Sequence, residues 1–243
     1  MATDTESAAG APELRHVTVL NALGADIVAG VLPVGTAVKL EELQARYGAS
    51  RGLVRECMRI LEGVGMLRSQ RGTGVTVLPE GSWNEYDPNV IRWKLEGPRR
   101  SAQLQILTEL RLGLEPVAAR LAALRTTQSE KDELRDVLAL LRVNGVAGRR
   151  SRHLECDLHF HELILRGAHN PMYSMMVPIV QEVLRSRRQF DSISHNEVLA
   201  AIERHERVGN AVIAGDEQEA EAAMHALLGE VRSSISTVAK SDR

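Results

Sequence analysis

The sequence predicts a mostly α-helical chain in two parts: a small N-terminal unit of helices closed by one β-hairpin, and a larger C-terminal antiparallel helical bundle. Three observations predict it. Apolar residues recur at helical spacing in three short runs between residues 14 and 64, separated by glycines and a proline. Strand-like segments, "MLRS" and "VTVL", then flank "QRGTG". From about residue 101 onward nothing reads as strand, and six helical runs follow one another with short joins.

The first 13 residues, "MATDTESAAGAPE", are polar and acidic, and are expected to be disordered. "ELRHVTVLNALGADIVAG" has the apolar spacing of a first helix ending near Gly30, after which "VLPVGTAVK" turns through Pro33 and Gly35. "LEELQARYG" reads as a short second helix stopped at Gly48. Ser50 opens a third at once, its hydroxyl placed to accept an orphan N–H of the first turn. On that third helix Leu53, Cys57, Ile60 and Leu61 share one face, while Arg51, Arg55 and Arg59 drift across the other. Gly72 and Gly74 permit a tight reversal between the two strands, with Arg71 near the tip. Helix, short helix, basic helix and hairpin together make a winged helix-turn-helix over residues 14–79.

Residues 80–100 hold both tryptophans and read as a linker with one short helix, "PNVIRWKLEG". The bundle spans 101–238, with helices expected at 101–125, 129–144, 151–168, 171–190, 196–214 and 216–238. Ser129 and Asp132 are placed to cap the second of these, and Asp216 with Glu219 the last; Pro178 is expected to bend the fourth.

Charge narrows the function. The whole chain carries a net −2, so any pull toward nucleic acid must be local. Residues 51–71 supply it, with five arginines against two glutamates. The two cysteines lie far apart and form no disulfide framework, which fits a reducing compartment. With no apolar leader or membrane span, a cytoplasmic location and no membrane partner are expected.

The bundle holds a second constellation. In "HLECDLHFHELIL", Asp157 and His161 are four apart and share a helix face; His205 and His225 lie on two later helices. Bundles build metal sites from side chains on facing helices, and one carboxylate with three imidazoles suits a divalent ion such as zinc or nickel. Spacing alone leaves His153, His159 and His169 as rivals. Enzyme motifs fail in detail. His161–Glu162 begins a metalloprotease helix, but position 165 is Leu where a second histidine is required. The G-x-S-x-G match, "GASRG" at 48–52, joins two predicted helices and not a strand to a helix, so it makes no nucleophile elbow, and there is no P-loop.

The run "YGASRGLVRECMRILEGVGMLRSQRGTGVTV" resembles the GntR family of bacterial transcription regulators, in its FadR-like branch with an all-helical FCD effector domain. The likeness continues in "ELRLGLEPVAARLAA", "DLHFHELILRGAHNP" and "HERVGNAVIAGDEQEAEAAMHAL". The last of these is similar to the family's H-x-x-x-x-x-A-I-x-x-x-D-x-x-x-A-x-x-x-M-x-x-H. The linker is similar to that of regulators of galactonate and related sugar-acid operons. The chain departs from the family at Leu40–Glu41, where many relatives have Glu–Arg, and at Gly52, where Thr or another polar residue is commoner.

The resemblance implies a non-enzymatic, homodimeric regulator, a repressor of a catabolic operon, on operator DNA. Arg51 and Arg55 would contact base edges or phosphates, beside Ser50 at the helix start. Arg46, Arg59 and Arg71 would position the backbone, with Gly72 at the wing tip. It implies Asp157, His161, His205 and His225 as ligands of zinc, nickel or manganese. A small carboxylate effector, a sugar acid or 2-hydroxy acid, would be held there with Arg111 and Arg185. A direct metal sensor and a metal-dependent hydrolase are the other readings these residues allow.

Overall fold

In a computed structural model the described residues are 10–70, 74–187 and 195–241. The chain divides into two units, 1–100 and 101–243.

In the first unit, α1 (Gly10–Val28) already begins within the stretch expected to be disordered; residues 1–9 lie outside those described. Gly30 and Gly35, both at positive φ, carry the chain through the Pro33 turn to a short strand, β1 (Ala37–Val38). Then come α2 (Leu40–Tyr47), ended by left-handed Gly48, and α3 (Arg51–Gly63). Ser50 caps α3 as expected, its Oγ accepting from Leu53 N at 3.3 Å. The wing is β2 (Leu67–Gln70) and β3 (Gly74–Val77), antiparallel, with Leu67 opposite Val77 and Ser69 opposite Val75.

β1 adds a third strand, in the order β1-β3-β2, that two residues of sequence could not announce. Gly74 makes room for it: a Cβ there would stand 2.2 Å from the Val38 carbonyl oxygen. The core gathers Leu23, Leu43, Val54, Cys57, Leu61, Met66, Val75 and Val77.

The segment 80–100 is built into this unit rather than strung out as a linker. Its helix, α4 (Pro88–Glu96), is capped by Asp87, whose carboxylate accepts from Asn89 N at 2.8 Å and Val90 N at 3.2 Å. Trp83, Val90, Ile91, Trp93 and Leu95 are all buried. The Trp93 ring lies against Gly24 of α1, and its Nε1 donates to Asn21 Oδ1 at 3.0 Å.

The second unit is all helix among the described residues: α5 (Arg100–Arg125), α6 (Gln128–Val146), α7 (Arg150–Gly167), α8 (Pro171–Ser174), α9 (Val177–Arg187), α10 (His195–Ala214) and α11 (Glu217–Ser241). α7 packs on α6 and α9, and α10 packs on α6 and α11. Small residues of α5 (Ala118, Ala119, Ala122) meet Leu141, Phe160, Ile164, Leu165, Val208 and Met224 in one core. Two expectations change here. The cap of α6 is a Thr127–Glu130 box, in which the hydroxyl and carboxylate satisfy each other's backbone N–H, rather than Ser129 and Asp132. The helix expected over 171–190 breaks instead of bending, because Pro178 has no N–H to continue a ladder and is accommodated in the first turn of α9.

Candidate DNA-binding face and candidate metal centre

On α3 the basic and apolar faces separate as expected, but the buried face is turned slightly, with Leu53 and Ile60 half-buried and Val54 taken into the core. Val54, Cys57 and Leu61 are buried, whereas Arg51, Arg55 and Arg59 are exposed. Cys57 is a packing residue, its thiol pushed up to about 11 by burial. Arg59 lies 3.4 Å from Glu56, a loose pair on the surface. Among the described residues Arg51 and Arg55 have no ion-pair partner, so both guanidiniums remain available at the N-terminal half of the helix. Arg46 is differently employed: its Nε donates to Asp26 at 2.9 Å, and the Tyr47 hydroxyl donates to the same oxygen at 2.7 Å, tying α2 to α1. Arg71 and Gly72 lie outside the described residues.

In the bundle, α7 projects Asp157 and His161 from one face, and α10 brings His205 to them. His205 Nε2 stands 2.9 Å from Asp157 Oδ1, and His161 Nε2 stands 3.6 Å from the same oxygen. One ligand atom from each of the three lies within 4.8 Å of the others. The far nitrogens are anchored. His161 Nδ1 meets Glu115 Oε2 at 2.6 Å, and His205 Nδ1 meets the Ala201 carbonyl at 2.7 Å. Each acceptor favours the tautomer protonated at Nδ1, leaving Nε2 as the donor to a cation. Phe160 packs edge-on against both rings and fixes their planes. The donor set and its outer supports therefore fit a divalent ion.

Two buried charges adjoin the cluster. Arg111 and Glu115, one turn apart on α5, form an ion pair 2% and 0% exposed. Burial, the largest single effect, raises the Glu115 carboxyl, but Arg111 and His161 together outweigh it and hold the carboxyl well below the usual range. Burial also lowers His161, against the pull of Glu115, so its neutral form is favoured. Arg111 Nη2 lies 3.5 Å from His161 Nδ1 and 3.4 Å from Nε2, which sets it over the ring face rather than on a lone pair. Arg111 Nη1 is buried and has no hydrogen-bond partner.

Two expected members are elsewhere. His225 is exposed on α11, because the inward face of that helix is Ala220, Ala223, Met224, Leu227 and Leu228. The family pattern M-x-x-H counted from Met224 falls on 227, which is Leu, so His225 is out of phase with it. Arg185 is exposed, its guanidinium bonded to Glu182 at 3.0 Å and Gln181 at 3.1 Å on its own helix. The rival histidines have other employment. His153 bonds the Leu141 carbonyl, His159 pairs with Glu133 and His169 with Glu130. Glu115 is not among the site residues expected from sequence; its signal is an opposite charge four residues after Arg111 in "RLGLEPVAA", where the residues between and after the two are apolar or small.

The chain matches two family models, the FCD domain over residues 106–230 and the bacterial regulatory proteins of the gntR family over 16–77. It is 30% identical to the galactonate operon transcriptional repressor of Escherichia coli K12 over 165 residues, 68% of this chain and 71% of that one. With LutR of Bacillus subtilis 168 the identity is 28% over 211 residues, 82% of this chain and 91% of the relative. Among solved structures, the Listeria monocytogenes regulator Lar superposes with a TM-score of 0.60 at 15% identity, covering 98% of this chain and 99% of Lar. E. coli McbR/YncC superposes at 0.53 and 20% identity, covering 92% and 97%. These two likenesses are of fold. No described helix is long and apolar enough to cross a membrane. The models together cover both units, and the chain belongs to the GntR family of bacterial regulatory proteins, in the FadR-like branch that carries an FCD domain, as a transcription regulator and not an enzyme.

Proposed function

We propose that this regulator represses a sugar-acid catabolic operon and is released from its operator by a small hydroxy-carboxylate bound at the Arg111–Asp157–His161–His205 cluster. The observation that carries the reading is the buried guanidinium of Arg111, with Nη1 unpartnered beside three cation donors. A guanidinium so placed takes a carboxylate by charge-assisted hydrogen bonds. The name of the E. coli relative, which concerns galactonate, points to the same class of acid.

In this reading Glu115 and the Ala201 carbonyl hold the two imidazoles with Nε2 toward Asp157. A divalent ion, zinc, nickel or manganese, supplies Lewis-acid contacts to the acid when it is bound. Arg111 orients the carboxylate, while Phe160 and the surrounding core exclude water and strengthen each polar contact. On the DNA side, Arg51 and Arg55 enter the major groove, and a homodimer presents two such helices to the half-sites of a palindromic operator. The acid releases DNA only by binding the released form more tightly than the DNA-bound form.

The test is a titration of the protein–DNA complex, on a duplex selected from a random pool by the protein itself. The panel holds aldonates, short 2-hydroxy acids and fatty acyl thioesters, each with and without chelator. Release by aldonates or hydroxy acids, blunted by chelator, is expected. Release by the thioesters alone, indifferent to chelator, would overturn the reading.

A further inference from the structure

We infer that Arg15 of α1 is a phosphate contact of the DNA-binding face, its guanidinium fixed on the Gly48 carbonyl beside the start of α3 and directed to the duplex backbone, not to a base. The inference rests on the placement of α3 in the major groove and adds a residue from outside that helix.

The side chain is held but not neutralised. Arg15 is exposed, and its Nη2 donates to the Gly48 carbonyl oxygen at 2.7 Å. That acceptor is uncharged, so the bond fixes the guanidinium and leaves its positive charge and its other N–H donors available. The residues one helical turn away on either side are Ala11, Pro12, Thr18 and Val19, none of them acidic. Among the described residues Arg15 has no ion-pair partner. A surface arginine loses side-chain entropy when it grips a ligand; one already tied to the main chain loses less.

Its place is set by the turn between α2 and α3. Gly48 ends α2 in the left-handed conformation, and Ser50, two residues on, caps α3. Arg15 therefore stands at the end of α3 that carries Arg51. α1 is seated on α3, with Cys57 Sγ 4.0 Å from the His16 carbonyl, and its Asp26 holds Arg46 and Tyr47 of α2. The three helices carry Arg15 as one frame.

The neighbouring charges give the guanidinium its task. In a helix-turn-helix the helix before the recognition helix crosses the DNA backbone. Here that helix, α2, opens on Glu41 and Glu42 against Lys39 at its cap, and its one arginine, Arg46, is paired with Asp26. α2 itself thus brings no uncompensated cation to the phosphates, and Arg15 brings one to the same turn. Because α1 is not the helix in the groove, its guanidinium meets phosphate oxygens, which a planar fork can bind bidentately, and reads no sequence.

The test uses the full-length protein on two duplexes, one selected by the protein from a random pool and one scrambled, with affinity measured by anisotropy over a range of KCl. Arg15→Ala and Arg15→Gln should weaken both duplexes alike, by about fivefold at about 0.15 M salt, and lower the slope of log affinity against log salt by about one unit. Arg15→Lys, which keeps the charge, should keep the slope. Ethylation interference gives the direct reading: at least one phosphate whose ethylation blocks the parent should be without effect on Arg15→Ala. An unchanged slope and interference pattern in Arg15→Ala overturn the inference. So does a loss confined to the selected duplex, since a phosphate contact reads no sequence. A weaker complex with an unchanged slope and a lower thermal midpoint overturns it too, making the Gly48 bond a strut between α1 and the turn. Arg51→Ala and Arg55→Ala, run beside these, separate the two readings. If they lose the preference for the selected duplex while Arg15→Ala behaves as the parent, α3 stays in the groove and only the Arg15 contact falls. If all three bind both duplexes as the parent does, both fall together.

Discussion

Arg51 and Arg55 show what a single residue contributes when nothing inside the protein claims it. Both are exposed on α3, so truncation costs the fold little. Arg51→Ala or Arg55→Ala should each weaken specific DNA by about 1–3 kcal/mol, if the contact is to a base edge, and leave the thermal midpoint unchanged. Fluorescence anisotropy on a selected duplex beside a melting curve checks both halves. Arg111 and Glu115 are the opposite case. Removing one member of a fully buried pair strands the other, so Glu115→Ala should destabilise the second unit by roughly 3–5 kcal/mol in denaturant titration. The double change Arg111→Met with Glu115→Leu should recover most of that loss, because neither charge is then left alone.

At the scale of elements, α4 depends on two contacts. Gly24 of α1 lets Trp93 approach so closely that a Cβ would stand 2.4 Å from the ring. Gly24→Ala should therefore cost about 1–3 kcal/mol through forced displacement of α4, read as a lower midpoint and altered tryptophan emission. Lys94 of α4 bonds Glu80 of the preceding turn at 2.8 Å and Glu85 at 2.7 Å. The Lys94 ammonium, against partial burial and with Arg99 adding to it, holds the Glu80 carboxyl below its usual value. A carboxyl lowered in the folded state contributes stability in full above the unfolded value of about 4.3, and loses it as pH falls through the folded value. Glu80→Gln should thus be less stable than the parent at pH 7, by no more than about 1 kcal/mol for so exposed a pair, and should converge with it in strong acid.

Across the whole molecule, two chemistries sit on separate units, and each can be removed without the other. With zinc and an effective acid present, His205→Ala should lose the bound ion, whereas His225→Ala, altering an exposed side chain, should retain it. Elemental analysis of gel-filtered protein distinguishes them. Both variants should keep the parent's affinity for DNA in the absence of acid, since α3 is untouched.

What the sequence determined by itself was periodic or local. The apolar wheel of α3, the Ser50 cap, the two strands of the wing and the D-x-x-x-H pair of α7 each follow from a few neighbouring residues. Helix existence, and the winged unit followed by a bundle, followed from the same short-range rules. Tertiary structure decided whatever depended on phase or on distant partners. β1 is a strand only because β3 lies beside it. The residues 80–100 belong to the first unit because Gly24, far away in sequence, leaves room for Trp93. His225 misses the cluster because at 3.6 residues per turn a two-residue offset from position 227 rotates a side chain by about 200° around the helix, out of the core and into solvent. Glu115 enters the site for the converse reason: its role depends on Arg111, His161 and the packing of α5 against α7, and a buried charge declares its purpose only when its partners are in place.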